Sequence, residues 1–336
     1  MATDNLESPD TTVLTLRSVL ASETEPLARR FRALFSLKHL ACLQPPTEKT
    51  LPAIQAIAAG FSSPSALLKH EVAYCLGQTR NRDALPFLHD ALKDAEEDAM
   101  CRHEAAEALG ALGYESSLEI LKELRDNKDE VDVVRETCDI AVDRILWEQS
   151  EARKAETLKP SDFTSIDPAP PMPLTAKEPS IPDLEKTLLD TTLPLFQRYR
   201  AMFGLRDLAS PSDLPTAKQA IESLAKGLKD PSALFRHEIA FVFGQLCHPA
   251  SVPSLTETLS DQSEVGMVRH EAAEALGSLG NVEGVEDTLK KFLNDPEKVV
   301  RDSIIVALDM AEYEKNGEVE YALVPDSTNL AAVPAA

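Results

Sequence analysis

Apolar side chains recur along this 336-residue chain at helical rather than strand spacing. In residues 66–78, ALLKHEVAYCLGQ, the apolar positions Leu68, Val72, Ala73 and Leu76 share one face of a 3.6-residue period, which predicts an amphipathic helix. The stretch before it, 51–59 (LPAIQAIAA), has the same character and predicts a partner helix. Ser63-Pro64-Ser65 between them supplies the turn, with proline suited to a helix start. This helix–turn–helix unit then repeats. Residues 233–245, ALFRHEIAFVFGQ, answer 66–78, and the nonapeptide RHEAAEALG at 102–110 returns unchanged at 269–277. Arg32-Ala33-Leu34-Phe35 is answered by Arg200-Ala201-Met202-Phe203, and Val134-Arg135-Glu136 by Val300-Arg301-Asp302. Self-similarity at fixed intervals is the signature of stacked repeats.

The predicted fold is therefore all-α: an α-α superhelix, a HEAT-like repeat solenoid of two symmetric halves with four helix pairs each. The first half spans 1–147 and the second 184–313. Between them, 148–183 is rich in proline, serine and charge, and reads as a flexible linker that lets the halves turn to face one another. Residues 314–336 read as a disordered tail. In each half the outer units depart from the inner pattern, as capping repeats do. They carry Arg30-Phe31, Arg135-Glu136, Arg198-Tyr199 and Arg301-Asp302 where the inner units have other residues.

Composition narrows the classes. Aromatic residues are only 5 %, while alanine and leucine dominate, the mix of helices packed on helices. A formal net charge of −22 argues against binding nucleic acid, which rests on neutralising phosphates, and favours a basic partner. The five cysteines include no CxxC pair and read as reduced residues of a cytoplasmic protein, with the nucleus as a second expected compartment. The first residues, MATDNLESPD, lack the features of a signal peptide, and no run is apolar enough to span a membrane. A monomer is expected.

Four of the seven histidines stand in His-Glu dipeptides: His70-Glu71, His103-Glu104, His237-Glu238 and His270-Glu271. The intervals match within halves (103 − 70 = 33; 270 − 237 = 33) and between them (237 − 70 = 167; 270 − 103 = 167). One such pair on a helix is usually a solvated pair or a satisfied core histidine. Four in symmetric register, absent from the outer repeats, point to a metal site. Equivalent positions on neighbouring repeats lie roughly 8–10 Å apart, so His70 with His103, and His237 with His270, can each converge on one ion. A His and the Glu beside it point about 100° apart on a helix. They are therefore expected to serve different ions, with Glu238 completing the nest of His70 and His103, and Glu71 that of His237 and His270. On this reading Glu104 and Glu271 hold substrate. Two His and one carboxylate with open positions is the ligand set of non-haem Fe(II) oxygenases; zinc and manganese remain chemically open. Glycine follows each of these histidines by seven residues, at Gly77, Gly110, Gly244 and Gly277. Close helix packing is one cause, and room for a substrate chain is another.

These residues carry a family resemblance over nearly the whole chain apart from the linker and tail. Four His-Glu pairs in a duplicated HEAT-like solenoid with an acidic balance resemble deoxyhypusine hydroxylase. The resemblance implies a di-iron monooxygenase with two Fe2+ per chain that uses O2 to hydroxylate the deoxyhypusine form of translation initiation factor 5A. It implies that His70, Glu71, His103, Glu104, His237, Glu238, His270 and Glu271 all belong to the iron and substrate site, and that Gly77, Gly244 and Met267 lie near the substrate. The linker looks expanded beside the family pattern. Three other classes compete. A non-catalytic HEAT scaffold has no use for the double His-Glu register, bilin lyases share short repeats but not these pairs, and a metallohydrolase would hold zinc.

Overall fold

The computed structural model describes residues 11–158, 162–173 and 179–316, with side chains to Tyr313. Among them there are helices and turns and no strand. The N-terminal half pairs α1 (Thr12–Ala21) with α2 (Leu27–Cys42), α3 (Thr50–Ala58) with α4 (Ala66–Gln78), α5 (Leu85–Lys93) with α6 (Ala99–Leu112), and α7 (Leu118–Asp126) with α8 (Asp132–Glu148). After a short α9 (Glu151–Ala155), the C-terminal half pairs α10 (Ile181–Leu189) with α11 (Leu195–Leu208), α12 (Ala217–Lys226) with α13 (Ala233–Leu246), α14 (Val252–Ser260) with α15 (Gly266–Gly277), and α16 (Val285–Lys290) with α17 (Lys298–Asn316). The second helix of each pair stacks on the second helix of the next, giving an inner layer; the first helices form the outer layer.

Local sequence sets the ends of the inner helices. Ser65 and Ser232 accept hydrogen bonds from the backbone N–H of Leu68 and Phe235, three residues into α4 and α13. Gly113 ends α6 in the left-handed conformation that glycine adopts without strain. The glycines seven residues after the histidines face the next inner helix. A Cβ on Gly77 would sit 2.8 Å from Ala108 Cβ, one on Gly110 2.8 Å from Ala141 Cβ, and one on Gly277 2.8 Å from Ala307 Cα. Gly244 against Ala275 is looser, at 3.4 Å. Close packing thus accounts for the four glycines. Gly110→Ala should destabilise the protein: helix propensity gains up to about 1 kcal/mol, but overpacking against a backbone atom costs about 1–3 kcal/mol. The midpoint of urea unfolding should fall; a rise would mean that α6 and α8 part without penalty.

An arginine ladder ties the layers together. The Nε of Arg30, Arg102, Arg198 and Arg269 donates to the carbonyl of Leu20, Leu92, Leu188 and Leu259, each ten residues earlier in the last turn of the outer helix. Those carbonyls lack intrahelical partners. The guanidinium forks of Arg102 and Arg269 close on Glu130 and Asp295 in the following repeat. The ladder corrects the alignment of the outer repeats. Arg30 and Arg198 correspond to Arg102 and Arg269, the residues before the histidines. The place of histidine in the outer units is therefore held by Phe31 and Tyr199, with Glu136 and Asp302 following Arg135 and Arg301.

Each half has its own core, and each lends residues to the other. Ile140 and Trp147 of α8 are buried in the C-terminal core, and Val306 of α17 in the N-terminal one. α8 packs on α11 and α13, while α17 packs on α2 and α4, so the two stacks meet at both ends. Arg32 pairs with Asp309 (2.8 Å), Ser65 donates to Asp302 (3.2 Å), and Ser232 donates to Glu136 (2.6 Å) across these seams.

The expectation of a flexible linker is corrected for its described residues. Ala169 is fully buried, and Asp167 pairs with buried Arg206 at 2.8 Å. Glu156 accepts from Trp147 Nε1 and from both terminal nitrogens of Arg200. Gln78 accepts from the Ile166 N–H (2.8 Å), and Gln245 donates to Ser165 Oγ (2.8 Å), so the segment 162–173 is strapped to both halves at equivalent positions (245 − 78 = 167). Composition missed this because the strap is held by polar partners rather than by a periodic apolar face. The expected tail begins within α17, which runs to Asn316; its remainder lies outside the described residues.

Candidate metal centre

α4, α6, α13 and α15 turn their His-Glu pairs towards one another between the two halves. The imidazole centroids of His70 and His103 lie 5.3 Å apart with planes at 40°, and those of His237 and His270 repeat the same separation and angle. Across the seam, His70 is 5.2 Å from His270 and 5.8 Å from His237, and His103 is 5.3 Å from His237. The 167-residue register thus becomes a pseudo-twofold arrangement in space. All four histidines are at most 4 % exposed, and none of their eight ring nitrogens has a hydrogen-bond partner. Buried polar groups are nearly always paired, so eight orphans at one point need an explanation. A divalent metal would supply it, because imidazole nitrogen and carboxylate oxygen together are the donor set of such ions, and these side chains could hold one.

The carboxylates divide differently from the expectation. Glu104 Oε2 lies 3.3 Å from His70 Nε2, and Glu271 Oε2 lies 3.4 Å from His237 Nε2 and 4.0 Å from His270 Nε2. His70, His103 and Glu104 bring ligand atoms within 4.8 Å of one another, without help from the opposite half. Adjacent His103 and Glu104 therefore share one nest, and the crossed arrangement with Glu238 and Glu71 is not what the geometry favours. The 100° between adjacent Cβ positions does not fix where a glutamate carboxylate ends, since three rotatable bonds follow it. Glu71 contacts the Nδ1 of its own neighbour His70 (3.3 Å), and Glu238 keeps one oxygen buried and unpartnered.

Electrostatics differ among the histidines. Burial works to lower the pKa of His70, but the carboxylates of Glu104 and Glu71 outweigh it and hold the ring well above the ordinary imidazole value. His103 and His270 are held well below it by burial and by the neighbouring imidazoles. Burial likewise raises Glu238 well above the usual carboxylate range, reinforced by Glu107.

A cavity of about 170 Å³ opens onto these groups, and it adjoins one of about 710 Å³ through Phe35, Tyr74 and Met310. Gly244 lines the smaller cavity. Gly77 instead packs on Ala108, and Met267 packs against the C-terminal core. The methionine at the cavity is Met310. Glu107 and Glu274 also line it and were missed, although both stand in the repeated RHEAAEALG. Tyr74 and Phe241, with rings 6.1 Å apart, were legible in the same way, since 241 − 74 = 167.

Comparison with known proteins bears on this site. A family of HEAT repeats matches residues 47–141 and 221–309. A deoxyhypusine hydroxylase of Emericella nidulans is 90 % identical over 336 residues, covering all of both chains. That of Aspergillus fumigatus is 82 % identical over 331 residues, 98 % of this chain and 99 % of its own. The solved structure of human deoxyhypusine hydroxylase in complex with glycerol is 44 % identical, with a TM-score of 0.78 over 90 % of this chain and 96 % of that one.

Proposed function

The chain belongs to the deoxyhypusine hydroxylases, a family of monooxygenases, and on that premise we propose that it holds two Fe2+ and hydroxylates the deoxyhypusine side chain of translation initiation factor 5A with O2. The observation that carries this reading is the four buried imidazoles, eight nitrogens without a partner, ringed by carboxylates. His70, His103 and Glu104 would hold one iron, and His237, His270 and Glu271 the other. Bound iron supplies the activation of dioxygen and the insertion of oxygen into a substrate C–H bond. The protein does the rest. Burial keeps the imidazoles poised as neutral donors at His103 and His270, and the apolar rim of Phe35, Tyr74, Phe241 and Met310 limits water at the ions. Glu71 and Glu238, not needed as ligands, are left to meet the cationic amines of the substrate.

The −22 charge suits a basic protein partner. No helix among the described residues is long and apolar enough to cross a membrane, and the reading carries with it a monomer at work in the cytoplasm and the nucleus. A scaffold without chemistry leaves the orphaned imidazoles unexplained.

Metal analysis of the purified protein should find two irons per chain, and a strong chelator should lower the thermal midpoint, because metal bound only by the native state stabilises it. Zinc in place of iron, or a midpoint indifferent to chelation, would refute the reading.

A further inference from the structure

α2 and α11 are equivalent helices of the two halves, related by an interval of 168: Phe35 corresponds to Phe203 and Lys38 to Arg206 (203 − 35 = 168; 206 − 38 = 168). In the C-terminal half this cation is covered. Arg206 is fully buried, and its guanidinium stands 4.8 Å from the Phe203 ring and 4.3 Å from that of Phe163. It pairs with Asp167 at 2.8 Å and with its neighbour Asp207 at 3.2 Å. Phe163 and Asp167 belong to the strap, and Phe163 packs on the C-terminal core. A non-helical segment thus fills the C-terminal place with one aromatic ring and one carboxylate.

The N-terminal place has no such cover. The Lys38 ammonium stands 5.0 Å from the Phe35 ring and 5.2 Å from that of Tyr74, a cation over rings as before, but no carboxylate pairs with it among the described residues. Where Asp207 follows Arg206, His39 follows Lys38. Arg80 adds a second cation where the C-terminal half has Cys247 (247 − 80 = 167), and it too is without an ion pair among the described residues. These residues line the cavity of about 710 Å³, and no aspartate or glutamate lines it with them among the described residues. Such a volume admits several side chains of a ligand. On a chain of net charge −22, a hollow with two unpaired cations is an electropositive exception that attracts an anion.

We infer that this groove docks the protein substrate. A non-helical segment of the factor, bearing an aspartate or glutamate beside apolar side chains, lies there as the strap lies on the C-terminal half, with its carboxylate answered by Lys38 and Arg80. The inference rests on the function proposed above. The groove shares Phe35, Tyr74 and Met310 with the cavity at the metal centre, so a factor held there is anchored next to the ions. Neither Lys38 nor Arg80 lines the metal cavity itself. Their contact therefore recognises the whole protein rather than the side chain that reacts.

The test measures steady-state hydroxylation of the intact factor carrying deoxyhypusine by iron-loaded full-length protein, with iron content determined alongside. Lys38→Glu should raise KM roughly 10- to 100-fold, the scale of a lost charge-assisted hydrogen bond. Arg80→Asn, which suits the left-handed backbone there (φ 55°), should raise it about 2- to 5-fold, as for an exposed ion pair. Both variants should keep two irons and the kcat of the unaltered protein, and Lys38→Arg should restore most of the affinity. Changing the factor's acidic residues to lysine one at a time should then find a position that rescues Lys38→Glu. An unchanged KM in both variants, or lost iron, would overturn the proposal. A raised KM that no position on the factor rescues would give the groove to a free anion or to residues 317–336 of this chain, and would overturn it equally. Should the unaltered protein leave the factor unhydroxylated, the functional reading fails and this occupant falls with it.

Discussion

Replacing Glu104 or Glu271 by alanine should strip iron from the centre and lower hydroxylation by more than about 100-fold, since even a residue behind the ligands is worth about 10- to 100-fold. Replacing Glu71 or Glu238 should leave both irons in place and weaken substrate binding instead. The division follows from which carboxylates stand at the Nε2 atoms. Glu104 and Glu271 lie 3.3 and 3.4 Å from His70 and His237. Glu71 meets only the far nitrogen of its neighbour, and Glu238 keeps an oxygen free. Metal content and substrate affinity measured on the same four variants separate the outcomes. Iron lost from Glu71→Ala and Glu238→Ala, and retained in the other two, would restore the crossed arrangement.

That the crossed arrangement suggested itself shows where sequence reasoning stops. The register of 33 and 167 residues located the eight motif side chains and the helices that carry them, because repeats stack with fixed geometry. Choosing the ligand atoms required dihedral angles beyond Cβ, which periodicity does not encode. Glu107 and Glu274 were different: the repeated RHEAAEALG displayed them, and the four-residue offset from histidine placed them on the metal face. They stand outside the His-Glu dipeptides, whose register alone does not point to them. The strap at 162–173 was not legible. Its order depends on Arg206, Arg200, Gln78 and Gln245 reaching it from both halves, and nothing in a Pro- and Ser-rich composition announces those partners. Gly77 and Met267 were assigned through resemblance, and the structure turns both away from the cavity into helix packing.

The arginine before each second histidine carries the largest stability effect. Arg269 is 1 % exposed, and its fork is closed on Asp295, whose side chain is 2 % exposed. Arg269→Leu would leave that carboxylate buried without its cation and the carbonyl of Leu259 without a donor. Breaking a buried pair by removing one partner costs about 3–5 kcal/mol, a large share of the roughly 5–15 kcal/mol that holds a typical domain together. An exposed pair such as Lys229–Glu257 belongs to a class worth only about 0–1 kcal/mol. The pairing of Arg269→Leu with Asp295→Leu should recover part of the loss, since no charge is then stranded, though not the Leu259 contact or the hydrogen bond that Asp295 accepts from the Glu297 N–H. Urea unfolding of the two single variants and the double variant gives the coupling directly. A single-variant cost inside the surface-pair range would show that water reaches Asp295. If the cost is instead in the buried range, iron binding should weaken with it. Arg269 fixes α15 against α14, and His270 is the next residue on that helix. A buried ion pair of the scaffold and the metal centre would then draw on the same turn of helix.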